Sequence, residues 1–172
     1  NEKIIILAIV LFSLISTCLG QVEKLEGPRI GITFLTDGTS SEELNSNYIS
    51  QLGWQWETRF TDDSLNFALL GEWVLMAGGF EKNMILPSLS GIVGFRSQKG
   101  FECGIGANIS VIGIAPIIAI GQNLKFGYVN IPLNIAFVPS IDIDPWIGDS
   151  GSTGSRITFT IGFNSSYYLI RR

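Results

Sequence analysis

Between Gln51 and Phe60 the chain alternates strictly. Leu52, Trp54, Trp56 and Phe60 occupy every second position, and Gln51, Gly53, Gln55, Glu57 and Arg59 lie between them. A period of two places successive side chains on opposite faces of a strand, so the segment predicts a β-strand with one apolar and one polar face. Three other segments repeat the pattern. In 101–111 the apolar phase is Phe101, Cys103, Ile105, Ala107, Ile109 and Val111; in 129–137 it is Val129, Ile131, Leu133, Ile135 and Phe137; in 157–164 it is Ile157, Phe159, Ile161 and Phe163. Four weaker strands are expected at 29–36, 65–77, 83–96 and 112–121. Among these, 65–77 carries apolar residues in both phases, with Glu72 sharing its phase with Leu70, Val74 and Met76. After residue 20 no stretch has a helical period, so the expected class is all-β.

The polar phase decides which way these strands face. In the four clean segments the apolar phase has no charged residue, and Thr58 is its one polar member. The opposite phase has three charges (Glu57, Arg59 and Glu102) and four glycines, the rest being mainly Asn, Ser, Thr and Gln. The solvent face of a soluble sheet normally carries many lysines and glutamates, which also protect its edges. Small neutral polar residues instead suit the narrow interior of a closed barrel, where side chains fill the lumen. The polar phase is therefore expected to point inward and the apolar phase outward, to lipid. Pro87, Pro116 and Pro132 count against closure, because each removes a ladder donor, a cost to a closed barrel unless they sit at bulges.

The links agree with a membrane barrel. Taking eight strands, the even-numbered links (61–64, 97–100 and 122–123) are short. The first and last odd-numbered links, 37–48 and 140–154, are long, and the second of these is rich in Gly and Ser. Short periplasmic turns alternating with longer outside loops are the pattern of a transmembrane barrel. About ten residues per strand at roughly 3.3 Å each, tilted, cover about 25 Å of hydrocarbon.

On these segments the chain resembles the small eight-stranded outer-membrane β-barrels of Gram-negative bacteria, over about residues 28–165. The most family-like piece is Ile157-Thr158-Phe159-Thr160-Ile161-Gly162-Phe163, which looks like the terminal aromatic strand read by the barrel-insertion machinery. In the family that strand usually ends the chain, whereas here nine residues follow Phe163. The resemblance implies an eight-stranded antiparallel up-and-down transmembrane barrel in the outer membrane. Its partners would be the lipid bilayer, the insertion machinery and an unidentified extracellular partner.

The ends set the expected boundaries. Lys3 followed by a nearly unbroken apolar run from Ile4 to Ile15 has the layout of a signal peptide, too short to span a bilayer as a helix. Cleavage after Gly20 fits, and lipid modification at Cys18 is the rival reading. The expected divisions are thus a signal peptide at 1–20, a periplasmic lead at 21–27, a barrel at 28–165 and a tail at 166–172. Glu2 and Lys3 are the charged residues of the first twenty, so the remainder keeps the net charge of −4, which argues against a nucleic-acid partner. Cys103 would be its lone cysteine, a small apolar residue in the lipid-facing phase.

The chain contains no histidine, which removes Ser–His and Cys–His nucleophile systems and most zinc sites. Gly148-Asp149-Ser150-Gly151 resembles a trypsin-like nucleophile segment, but without a histidine base it reads as a Gly/Ser-rich loop. Asp142 and Asp144 have the spacing that opens a calcium loop and lack its remaining ligands, so they read as a solvated acidic loop. No catalytic residue, cofactor or metal site is assigned. Trp146, with Asp142 and Asp144, is the candidate anchor for a partner, with capping of the barrel rim as the structural alternative. Glu57, Arg59, Glu72 and Glu102 are expected to form a structural charge network in the lumen, since buried charges persist when paired. The expected role is structural, or interaction and adhesion through 37–48 and 140–154. The alternative is a soluble lipocalin-like barrel with its apolar phase turned inward around a greasy ligand.

Overall fold

A computed structural model describes residues 21–36, 47–61, 66–111, 113–140 and 154–168. These form β1 (Gln21–Leu35), β2 (Tyr48–Thr61), β3 (Phe67–Gly78), β4 (Leu86–Ser97), β5 (Phe101–Ser110), β6 (Gly113–Phe126), β7 (Val129–Val138), β8 (Arg156–Gly162) and β9 (Asn164–Tyr168). From β1 to β8 each strand pairs antiparallel with the next, β9 pairs with β7 and β1, and β1 has β2 on one side and β8 and β9 on the other. The sheet therefore closes and has no free long edge. The segment expected to form the signal peptide, residues 1–20, lies outside the described residues.

β8 and β9 are two halves of one eighth strand. β7 meets them in a single register, with Leu133 opposite Ile161 and Asn130 opposite Asn164. The ladder lapses around Phe163: on β1 the register places Pro28 opposite it, and on β7 it places Pro132 opposite the preceding Gly162. Neither proline has an N–H to give, so the interruption falls where donors are missing on both neighbours. Phe163 keeps one bond, its N–H donating to the Pro28 carbonyl at 3.1 Å. Pro116 is accommodated differently: β7 partners β6 only from Ile118 onward, so this proline lies beyond that ladder. Pro87 is the second residue of β4.

The expected boundaries need correction at both ends. Residues 21–27 are not a lead, because Gln21 to Gly27 pair with Thr61 to Gln55 of β2. The tail does not begin at residue 166 either, since β9 runs on to Tyr168 opposite Glu23. Val22, Lys24, Leu25 and Glu26 do not show the clean alternation of the other strands, and a long neighbour supplies the pairing that pattern alone did not reveal. The third even link also moves, from 122–123 to the pair Gly127-Tyr128, because β6 extends through Lys125 to Phe126.

The side-chain directions are as the polar phase implied. Trp54 is 41% exposed, Ile105 67% and Phe159 46%, all on the outer surface. Gln55, Glu57, Glu102 and Asn108 are buried inside. The mixed segment resolves with Phe67, Leu69, Trp73 and Leu75 outward and Leu70, Glu72 and Met76 inward.

Closing a small barrel needs sharp local bending, which inward glycines permit. A Cβ at Gly106 would overlap the backbone carbonyl of Gly91, whereas one at Gly71 would meet nothing within 4 Å. Gly106→Ala should therefore destabilise the barrel by about 1–3 kcal/mol, the usual cost of forcing atoms into filled space, and Gly71→Ala should be near neutral. Urea titration of the folded band on unboiled gels measures both.

The β3–β4 link carries a short 3-10 turn, Phe80–Lys82, flanked by Gly79 and Asn83 in the left-handed region. The Ser50 N–H and hydroxyl donate to the two Glu81 carboxylate oxygens at 2.8 and 2.6 Å. The hydroxyl bond first, then the amide bond, holds the Glu81 carboxyl below the ordinary carboxylate range. The contact is thus complete above that ordinary range and is lost as pH falls through the lowered value. A carboxyl-carbon NMR titration should place the Glu81 midpoint low, and Ser50→Ala should return it upward.

Candidate functional site

The lumen holds the buried chemistry. Because charge in a barrel interior must come from inward-facing positions, five strands contribute. Arg29 comes from β1, Glu57 from β2, Glu72 from β3, Arg96 from β4 and Glu102 from β5.

Arg96 is the centre of the ionic part. Its Nη1 lies 2.7 Å from Glu57 Oε1, its Nη2 donates to Glu57 Oε2 at 2.8 Å, and its Nε donates to Glu102 Oε1 at 2.5 Å. Glu102 is its direct cross-strand partner, while Glu57 lies two strands away. The intervening strand puts Ala68 opposite Arg96, and that small side chain leaves the guanidinium room to cross the lumen. The bidentate contact suits the planar guanidinium, a geometry lysine does not offer.

Arg29 is held without a carboxylate. Its Nε donates to Gln55 Oε1 at 2.7 Å, its Nη2 donates to the same oxygen, and its Nη1 donates to Thr160 Oγ1 at 2.8 Å. With its amide oxygen turned toward Arg29, Asn134 accepts from Nη1 and Nη2 at 3.2 Å. Asn164 adds a donor to Gln55 at 3.0 Å. These polar groups tie β1, β2, β7, β8 and β9 together near the point of closure.

The expected network is brought together in part. Glu57, Glu72 and Glu102 enter the same buried region. Arg59 does not: it pairs with Glu23 at 3.1 Å, toward the end of β2 that meets the start of β1. That partner became available because residues 21–27 are strand. Arg29 and Arg96 are the members that the sequence reading missed. Both lie in the polar phase of strands whose alternation is weak or broken by proline, and the phase itself was the signal that could have found them. Trp146, Asp142, Asp144 and Asp149 lie outside the described residues.

Above the charges, toward the ends of the strands that carry the long links, the lumen becomes apolar. A cavity of about 140 Å³ runs there, walled by Ile49, Met76, Leu86, Ile92, Ile117 and Val138 among others. Its inner end reaches Arg29, Glu72, Asn134 and Thr160. The interior is thus not uniformly polar as expected. The inward phases of β3, β4 and β6 contribute Leu70, Met76, Ile92, Ala115 and Ile117, all buried. At the opposite end the lumen is filled by Leu25, Ala68, Leu70 and the Asn123–Asn130 hydrogen bond of 3.0 Å.

No protein-family model matches the chain, and no curated protein matches it by sequence. Among solved structures it is similar to neisserial surface protein A, at 9% identity and a TM-score of 0.47, over 84% of this chain and 97% of that one. The assignment of the outer surface stands on the barrel itself. Its exposed residues include Trp54, Trp56, Trp73, Ile105, Ile118, Ile135 and Phe159, drawn from six strands. A soluble monomer does not expose an apolar surface that continues around its circumference. Closed barrels can cross a bilayer because every strand finds its hydrogen bonds within the sheet. This is an all-β, closed, eight-stranded up-and-down barrel with the surface of a transmembrane protein, and the inward-facing apolar phase of the lipocalin alternative is the reverse of what is seen.

Proposed function

We propose that this chain is a non-enzymatic outer-membrane barrel. Its body is held in the bilayer, and its role is structural or one of adhesion and interaction through the links at 37–48 and 140–154. The supporting observation is the continuous apolar belt, exemplified by Ile105 at 67% exposure in the middle of β5. An even number of strands puts both ends of the barrel chain on one side, and the three even links there are short. In a bacterial outer membrane that side is periplasmic, and the long links face outward.

Two measurements test this. The unboiled protein, extracted in detergent, should run faster on a gel than the boiled protein, as closed membrane barrels resist unfolding by the gel detergent. Recovery in the aqueous fraction without detergent would end the membrane reading. Protease applied to intact cells should cut within 37–46 or 141–153; protection until the outer membrane is broken would reverse the orientation. Substituting Trp146 by Ala then asks whether the second loop anchors a partner, with Asp142 and Asp144 as its charged neighbours.

A further inference from the structure

The five buried ionisable groups of the lumen do not pair off. There are three carboxylates, Glu57, Glu72 and Glu102, and two guanidiniums, Arg29 and Arg96. Arg96 is taken up by Glu57 and Glu102, and Arg29 by Gln55, Thr160 and Asn134. Glu72 is left over. It is 7% exposed, has neither a hydrogen bond nor an ion pair among the described residues, and stands directly opposite Glu57 in the β2–β3 ladder. Like charges opposed in this way repel, and a buried carboxylate without a partner is costly.

That carboxylate lines the inner end of the 140 Å³ cavity. The walls leading away from it include Val74, Met76, Ile92, Ile117 and Val138, with Thr33, Gln51, Ser90 and Asn108 between them. A cavity of this volume holds about one small apolar group; a site lined by Leu, Ile and Phe of similar size binds benzene. At the other end Arg156 lines the cavity and donates to Ser110 Oγ at 3.2 Å; at the floor the guanidinium of Arg29 is engaged by Gln55, Thr160 and Asn134.

We propose that the lumen is a binding site for a small amphiphilic cation, with an ammonium group against the Glu72 carboxylate and a short alkyl or aryl group in the apolar cavity above it. The ammonium supplies the donors that Glu72 lacks and a counter-charge for its carboxylate. The apolar part replaces empty volume beside Met76 and Ile117. Specificity follows from both ends together: an anion meets Glu72 unfavourably and finds the Arg29 donors already engaged by Gln55, Thr160 and Asn134, and a bare metal ion leaves the apolar walls unfilled.

The chain has two methionines, Met76 and Met84, and both line this cavity. The folded barrel in a non-ionic detergent, labelled at the methionine methyl carbons, therefore reports on the site directly. Titration with n-butylammonium should shift the Met76 resonance saturably, with n-butanol at least tenfold weaker and butyrate without effect. Glu72→Gln, which keeps the shape, should reduce n-butylammonium affinity at least tenfold while the unboiled band persists. Ile117→Phe, which fills the cavity and leaves the carboxylate in place, should abolish the saturable shift. Equal binding of n-butylammonium and n-butanol, retention of affinity in Glu72→Gln, or absence of a saturable Met76 shift in the unmodified barrel would each overturn the proposal. Should either variant fail to fold, the comparison of the three ligands on the unmodified barrel still decides it.

Discussion

Arg96→Met should cost the folded barrel about 3–5 kcal/mol, the loss that follows when one partner of a buried ion pair is removed. The guanidinium is the sole cation contacting Glu57 and Glu102 among the described residues, and the three side chains are at most 5% exposed. Without it, two carboxylates stay in the lumen beside Glu72, already facing Glu57 across the ladder. Urea titration of the unboiled, fast-migrating band reads the loss as a lower midpoint. Adding Glu57→Gln and Glu102→Gln to Arg96→Met should recover most of it, since replacing a whole buried network by neutral groups is often close to neutral. A midpoint for Arg96→Met within about 0.5 kcal/mol of the unmodified barrel, the range of ordinary surface changes, would mean that the lumen is wet and the ion pairs screened.

Ile105→Arg should reduce stability in a bilayer by about 2–4 kcal/mol, the depth-dependent cost of a cation on the lipid face near the midplane. Ile105 sits midway along β5 with its side chain on the outer surface. Val111, 62% exposed and just past the end of that strand, provides the internal control. Val111→Arg falls nearer the interface and should cost about 0–1 kcal/mol. The contrast between the two positions measures lipid depth, which a fold defect alone would not reproduce. Were the barrel surrounded by water, both exposed arginines would be tolerated equally and would improve solubility.

The two variants probe opposite faces, and the faces differ in how far they were legible from the chain. The outer face is local information. Whether Trp54, Ile105 or Phe159 belongs to a lipid-facing stripe depends on its neighbours two residues away and on the shortage of Lys and Glu in the alternate phase. The identity of the charged contacts is not local. Arg96 was part of a segment broken by Pro87, and of its two carboxylate partners one lies on the neighbouring β5 and the other on β2, beyond β3. Arg59 shows the reverse error: it shares a phase with Glu57, yet Glu23 reaches it first because β1 begins earlier than its alternation suggests.

The mixed phases of β3 and β6 mark where pattern reading loses power. When Leu70, Met76 and Ile117 are as apolar as the outward residues beside them, alternation no longer says which set is inside. The barrel wall decides, because closure leaves each strand one inward phase, and that phase must pack with its neighbours' inward phases. This is how an apolar cavity came to sit above a charged floor.

The sequence by itself determined the strand class, the direction of the clean strands and the alternation of short and long links, since each rests on spacings of a few residues and on burial preference. The tertiary structure alone decided the ion pairs and the cavity. It also decided which prolines are harmless: Pro28 and Pro132 flank one break in the last strand, and Pro116 lies past the end of the β6–β7 ladder. The physical reason is the same for all three: they depend on register between strands that meet only when the sheet closes, and residues as far apart as Arg29 and Thr160 become neighbours at that seam.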